Sequence, residues 1–359
     1  MRKIAFFHQN EVNGVQGGVE RYLSTLLHCS PATSTLVTEM QSAKGPQRIT
    51  VPLSDHLPLP KGMRYLFALF RNRKEVKRAL SKNNVVALEF SRPELSLFAI
   101  FLDPRKTFTI HGPGPPKTNF LTYLIYQASC FVLPFVADLV QVMGNRNLEG
   151  LPSLVVKQLG TRIKFIDAWY DDAFELSEMP GIKNSIKIFY AGRLAPMKNP
   201  ALLFDVVRAT KQNREYAVEF RYFGSDDHVI KLAQLDGHIE CFGLKTAAEL
   251  SHEISKCHAG ILCSTYGEGS PFIIVETLAC GRLFIAPPLP ILHDAYDHVS
   301  GVIFSTGWKI EDYLRAIHSL RASLTGGITA RQIRAGVELR SKRVVSKLIM
   351  EQIFGDSPS

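Results

Sequence analysis

The sequence predicts an α/β protein made of two doubly wound units, each a parallel sheet flanked by helices. Three observations predict it. Short β-rich runs alternate with amphipathic stretches from Lys3 onward, the pattern of strand–helix–strand units. The alternation comes as two series of similar size, separated by an acidic, turn-rich segment (Asp171, Asp172, Glu175, Glu178, Pro180, Gly181). A chain of 359 residues, 46% hydrophobic and 21% charged, suits two ordinary domains better than one large one.

The elements follow in order. In the first series the β-rich runs give strands at 3–8, 34–39, 48–53, 85–90, 106–111, 138–143 and 162–167, and the amphipathic stretches between them give helices at 19–28, 61–82, 118–135 and 146–159. A domain over 1–167 results, and 168–183 reads as a linker. The second series has strands at 186–192, 217–223, 238–242, 258–263, 283–287 and 300–305, with helices at 199–213, 226–235, 246–257, 271–280 and 308–323. It makes a second domain over 184–335, and 336–359 is expected to form a helix that crosses back to the first domain. Two such units are expected to leave a cleft between them, lined by loops at the carboxyl ends of both sheets.

Composition excludes several classes. Neither 25 Gly nor 20 Pro is unusual at this length and no period repeats, which removes fibrous and solenoid folds. Six cysteines without a C-x-x-C pair suggest neither a disulfide framework nor a zinc knuckle. His8, Gln9 and Asn10 interrupt the opening apolar run too early for a secretory signal, so a cytoplasmic chain is expected. Residues 118–137 carry no charge and are long enough to cross a bilayer, but Asn119, Thr122, Gln127, Ser129 and Pro134 dilute them; a buried helix is expected.

The net charge of +9 is uneven: residues 1–175 carry 21 basic against 14 acidic side chains, the remainder 21 against 19. Residues 61–82 alone hold eight basic side chains and one acid, interleaved with Met63, Leu66, Phe67, Leu69, Phe70, Val76 and Leu80. That pattern fits either a helix lying on an anionic membrane surface or one packed on its own sheet with a solvated charged side. No nucleic-acid-binding module is present, and no nucleic-acid partner is expected.

The chemistry concentrates in 268–281. A strand runs into a short polar loop, Pro271 stands where a first helical turn tolerates a missing N–H, and Gly281 ends the helix. Free backbone N–H groups at the positive end of that helix make an anion site. Glu268 and Glu276 flank it, and paired carboxylates suit the vicinal hydroxyls of a ribose or hexose. Arg193 and Lys198 follow the strand at 186–192, where two cations can neutralise a diphosphate, and Asn199 can cap the next helix. Alone, each of these would read as solvated loop charge; together they converge on one kind of ligand. No Asp-x-Asp metal site is present, since Asp171-Asp172 and Asp226-Asp227 are adjacent pairs, and neither metal nor cofactor is expected.

The Gly192-Arg193-Leu194…Lys198-Asn199 segment and the Glu268-x7-Glu276 pair resemble those of retaining glycosyltransferases of family 4, which have the GT-B fold of two Rossmann-like domains. Gly17-Gly18-Val19-Glu20-Arg21 is similar to that family's amino-terminal signature. The resemblance implies that the first domain is the acceptor side and the second binds a nucleotide-sugar donor. It further implies that Arg193 and Lys198 grip the donor diphosphate, Glu276 binds the nucleotide ribose, and Glu268 holds hydroxyls of the transferred sugar. The backbone of Ser270, Phe272 and Ile273 would line sugar and phosphates, Gly17 and Gly18 would let the backbone approach the diphosphate, and His111 would contact donor sugar or acceptor. The resemblance departs at Asp167-Ala168-Trp169-Tyr170, where an Asn-Gly turn commonly follows the last strand.

The expected function is transfer of a hexose-type sugar, with retention, from a nucleotide diphosphate sugar to a hydroxyl of a glycan or lipid-linked acceptor in cell-surface polysaccharide biosynthesis. The enzyme would work in the cytoplasm, peripherally at the inner face of the membrane. A nucleotide-sugar epimerase of the same fold and a catalytically silent nucleotide-binding protein are the alternatives.

Overall fold

The computed structural model describes residues 2–8, 18–29, 34–38, 47–52, 61–111, 120–182, 185–212, 217–225, 239–266 and 268–355. The chain divides into two units, Met1–Ile166 with Arg343–Ser359, and Asp167–Lys342.

The first unit runs β1 (Lys3–Phe7), α1 (Gly18–Cys29), β2 (Ser34–Thr38), β3 (Gln47–Thr50), α2 (Lys61–Arg71), α3 (Arg73–Lys82), β4 (Val85–Phe90), α4 (Ser96–Ala99), β5 (Arg105–Ile110), α5 (Phe120–Val136), β6 (Leu139–Met143), α6 (Ser153–Leu159) and β7 (Ile163–Ile166). Its seven strands are all parallel, in the order β3-β2-β1-β4-β5-β6-β7. Alternate residues of each strand point to opposite faces. One face presents Phe7, Leu88, Phe90, Phe108 and Val140 to a core that includes Leu69, Val76, Phe98, Cys130 and Leu133 of the covering helices. The rings stack across the sheet, Phe7 on Phe90 at 4.6 Å and Phe90 on Phe108 at 4.8 Å.

The opposite face is partly polar. Glu89 and Gln141 are fully buried, and the Tyr22 hydroxyl of α1 donates to Gln141 Oε1 at 3.1 Å. The Gln141 amide in turn donates to Gln352 Oε1 at 2.9 Å. Gln352 belongs to the last helix, Lys342–Phe354, nearly all of which packs with this unit.

Two expected helices are broken. The helix expected over 61–82 is α2 and α3, split at Asn72, and the one expected over 146–159 is a 3-10 turn (Asn145–Gly150) and then α6, beyond Pro152. Pro152 cannot donate the N–H that a continuous helix needs. The apolar side of 61–82 faces the core: Tyr65, Leu66, Leu69, Val76 and Leu80 are buried. Those side chains are therefore not free to enter a bilayer, which fits the alternative of a helix packed on its own sheet, while Phe67 stays exposed. Among the described residues, no helix is long and apolar enough to cross a membrane.

The second unit runs β8 (Ile186–Ala191), α7 (Pro200–Gln212), β9 (Val218–Phe223), β10 (Ile239–Cys241), α8 (Ala247–Ser255), β11 (Ala259–Ile261), α9 (Phe272–Ala279), β12 (Leu283–Ala286), α10 (Pro290–Tyr296), β13 (Val302–Phe304), α11 (Ile310–Thr325) and α12 (Ala330–Ala335). The last helix, Lys342–Phe354, is α13. The six-stranded sheet is again parallel, in the order β10-β9-β8-β11-β12-β13. The helix expected at 226–235, with Asp226 and Asp227, lies outside the described residues.

Residues 168–183, read as a linker, belong to this unit. Trp169 and Phe174 are buried, and the fully buried Arg282 guanidinium donates to the carbonyls of Ser177, Glu178 and Ser255 at 2.8–2.9 Å. Spreading one cation over several carbonyls satisfies its donors without a carboxylate. Acidic, turn-rich composition marks exposed loops, and it does not reveal such backbone anchoring.

Candidate functional site

In the second sheet the chain winds outward from β8 through β9 to β10 and then returns to the other side of β8 with β11. The order therefore reverses between β8 and β11, and the loops after these two strands leave their carboxyl ends side by side. Open α/β sheets bind ligands at that point.

The loop after β8 is held by its own strand neighbours. Gly192 has φ 139°, a conformation that side-chain-bearing residues rarely adopt. Its N–H donates to Phe223 O at 3.0 Å and its carbonyl accepts from the Tyr222 hydroxyl at 3.1 Å. The Tyr190 hydroxyl donates to Arg193 O at 2.8 Å, and the Arg193 side chain stays exposed. A 3-10 turn (Pro196–Lys198) follows, and Asn199 Oδ1 accepts from Leu202 N at 3.4 Å, capping α7.

The loop after β11 is fixed from several sides. The Tyr313 hydroxyl donates to Leu262 O at 3.0 Å and Trp308 Nε1 to Ser264 O at 2.9 Å. Thr265 N donates to Met197 O at 3.0 Å, tying this loop to the first. Next to that bond the Lys198 ammonium forms an ion pair with Glu268 Oε1, which also accepts from the Ser264 hydroxyl. Glu268 is 8% exposed, too buried for a solvated loop charge.

Beyond the loop, Pro271 occupies the N-cap of α9 rather than its first turn, and no side chain caps the helix. The amide end of α9 is thus not filled by a capping oxygen. Ser270 and Phe272 are anchored to the segment before it: Ser270 Oγ accepts from Ala168 N at 3.1 Å, and the Phe272 ring packs edge-on against Trp169 at 5.0 Å. Ile273 is half-buried. Glu276, one turn into α9, is 1% exposed, so it is not a helix-surface charge.

The structure thus joins Lys198 and Glu268 in one contact, with Arg193 on the same loop as Lys198. The family resemblance assigns the two to separate parts of a ligand, and in the structure they also touch each other. The contact arises because parallel β8 and β11 are neighbours, which no local spacing reveals. Phe272 contributes its ring to packing on Trp169. His111 lies in the first unit at the end of β5, half-buried, its ring edge-on to Tyr22 at 4.9 Å and its Nδ1 3.2 Å from Met143 Sδ. Gly18 is the first residue of α1, and Gly17 lies outside the described residues. Among the described residues no group of three or more His, Cys, Asp or Glu is placed to hold a metal ion.

Sequence reasoning missed Ser264, Trp169 and Trp308. One signal was available: the chain has two tryptophans, and both touch the 264–272 stretch.

Residues 173–324 match the family model described as glycosyl transferases group 1. No curated protein sequence matches the chain. Among solved structures, Anabaena HepE in complex with UDP is 15% identical with a TM-score of 0.76, over 98% of this chain and 100% of that one. Sucrose-phosphate synthase from Thermosynechococcus elongatus is 14% identical, TM-score 0.76, over 99% and 98%. WaaG, a glycosyltransferase involved in lipopolysaccharide biosynthesis, is 12% identical, TM-score 0.69, over 98% and 100%. The fold they share with this chain is GT-B.

Proposed function

We propose that this chain, which has the GT-B fold and whose residues 173–324 match the glycosyl transferases group 1 model, is a glycosyltransferase that moves a hexose from a nucleotide diphosphate sugar to a hydroxyl of a glycan or lipid-linked acceptor, with retention. The observation that carries this reading is the meeting of the Lys198 and Glu268 loops at the point where the strand order reverses. A diphosphate placed there competes with Glu268 for the Lys198 ammonium, and a Glu268 carboxylate released from the pair is free to accept hydroxyl hydrogen bonds from the sugar. The exposed guanidinium of Arg193 supplies a second cation. Charge develops on the diphosphate as the glycosidic bond breaks, so cations and α9 amides held ready for it lower the barrier.

An acceptor hydroxyl then attacks from the face the diphosphate leaves, passing its proton to a donor phosphate oxygen. Retention rests on the family 4 resemblance. The relative crystallised with UDP-glucose makes a UDP-hexose the first donor to try. A role in cell-surface polysaccharide synthesis at the cytoplasmic side of the membrane fits the basic first unit and the lipopolysaccharide role of WaaG.

Thermal-shift measurement against UDP-, GDP-, ADP- and dTDP-sugars tests donor binding. A cognate donor at 100 times its Kd raises stability by about 2.7 kcal/mol. Glu276→Ala is expected to weaken donor binding at least about tenfold, ~1.4 kcal/mol. Unchanged affinity in that variant removes Glu276 from the donor site. Mass spectrometry of products with and without acceptors tests transfer, and conversion of the nucleotide sugar without any acceptor would replace it with epimerisation.

A further inference from the structure

Helix α5 violates the usual pattern of a surface helix, which turns apolar residues inward and polar ones outward. Its inward side is apolar as expected, with Tyr126, Cys130 and Leu133 buried. Its outward side is apolar too. Phe120, Leu124, Phe131 and Phe135 are 73%, 51%, 47% and 83% exposed, and their spacing of four, seven and four residues sets them along one line of the helix. The helix has no charged residue.

This stripe is continuous with the basic surface. A groove at the carboxyl end of α5 is lined by Val132 and Phe135 on one side and by Ile100, Asp103 and Arg105 on the other. Ile100 and Phe101 are exposed, and Phe101 packs edge-on against Phe70 of α2 at 5.7 Å. Asp103 pairs with Lys77 of α3 at 2.8 Å. From there α3 presents Arg73, Lys74, Lys77, Arg78 and Lys82, all exposed, against one acid, Glu75.

We propose that the outward stripe of α5 and the cations of α3 form one docking face for an anionic phospholipid bilayer, the phenylalanines entering the acyl boundary while the cations meet the headgroups. Each part fits that occupant: a contiguous exposed apolar surface marks an interaction site, and a flanking basic cluster selects a negatively charged one. Tyr65, Leu66, Leu69, Val76 and Leu80 of α2 and α3 are committed to the core and Phe67 of α2 is the one exposed large apolar side chain there among the described residues, so insertion falls mainly to α5. A second copy of the chain fits less well, because pairing the same patch across a two-fold axis sets like charges beside like charges. The face does not depend on the transfer chemistry, and it would hold a transferase where lipid-linked acceptors lie.

Flotation of the full chain with vesicles tests this without donor or acceptor. The wild type is expected to float with mixed phosphatidylcholine and phosphatidylglycerol vesicles, less so at high salt, and hardly with phosphatidylcholine alone. Two variants, Phe131→Ser/Phe135→Ser and Arg73→Ser/Lys74→Ser/Arg78→Ser, are each expected to lose at least about tenfold in partitioning. Phe135→Trp, at a site 83% exposed and so tolerant of exchange, reports insertion independently of folding losses. The fluorescence of the introduced indole is expected to shift to the blue on adding anionic vesicles and to be quenched by brominated lipid. A wild type that stays at the bottom of the gradient, or a Phe135→Trp signal blind to vesicles, overturns the proposal. So does a wild-type dimer in solution that Phe131→Ser/Phe135→Ser dissociates, since that assigns the stripe to a second copy.

Discussion

Replacing Lys198 with alanine is expected to lower turnover at saturating donor at least about a hundredfold, on the order of 3 kcal/mol of transition-state stabilisation, the scale seen when one preorganised donor is lost. The same change strands the carboxylate of Glu268, which is 8% exposed and, among the described residues, keeps the Ser264 hydroxyl as its hydrogen-bond donor. Breaking a buried pair from one side is costly because it leaves an uncompensated charge. Lys198 is 22% exposed, so water screens part of the loss, and about 2 kcal/mol of stability is expected to go. The double variant Lys198→Ala/Glu268→Gln separates the two effects. Its stability is expected to return to within about 1 kcal/mol of wild type, because no buried charge remains unpaired. Its turnover is expected to stay as low as that of the single variant. Urea melts and steady-state kinetics on the three proteins decide the matter. If turnover recovers together with stability, the pair is a structural strut and the catalytic assignment of Lys198 fails.

The second large effect lies in the first unit. Glu89 is fully buried on the polar face of the first sheet, and burial pushes its carboxyl from an ordinary 4.5 up to about 8, against a smaller opposing pull from the Thr109 hydroxyl. Between those two values the folded chain holds a proton that the unfolded chain has released. Stability therefore falls as pH rises from about 4.5 towards about 8 and flattens above that. The full span corresponds to a loss on the order of 4 kcal/mol. Glu89→Gln keeps the shape and a neutral head, so it is expected to erase this slope. The variant should match wild type near pH 5 and exceed it in Tm by roughly 10 °C near pH 8, given 2–4 °C per kcal/mol for a unit of this size. Parallel melting curves for the two proteins across that range would refute the assignment of a buried neutral acid.

Much of the local geometry around the candidate site was legible because it depends on short spacing. Asn199 caps α7, Gly192 turns the chain out of β8, and Glu276 lies one turn into a helix that starts beside Pro271. Each of these follows from residue type and short spacing. The partners of those residues were not legible in the same way. Lys198 and Glu268 are seventy positions apart and meet because β11 pairs with β8. Trp169 and Trp308 reach the same stretch from segments more than a hundred residues apart in the chain, and composition gave no reason to bring them there. The stretch 168–183 has the composition of a linker, yet it is fastened by Arg282.

The apolar pattern shows the same division. Interleaved apolar residues in 61–82 and the uncharged run at 118–137 marked helices, and both helical regions exist, but the second, expected to be buried, leaves Phe120, Leu124, Phe131 and Phe135 exposed. The pattern did not say which apolar face the core would cover, because hydrophobic burial is non-directional and any complementary surface satisfies it. The order of residues alone determined the alternating elements, the two parallel sheets they build and the side chains available for donor chemistry. Tertiary packing decided which of those side chains touch, which carboxylates lose their water and which phenylalanines stay outside, since contact and desolvation depend on surfaces that distant segments bring together.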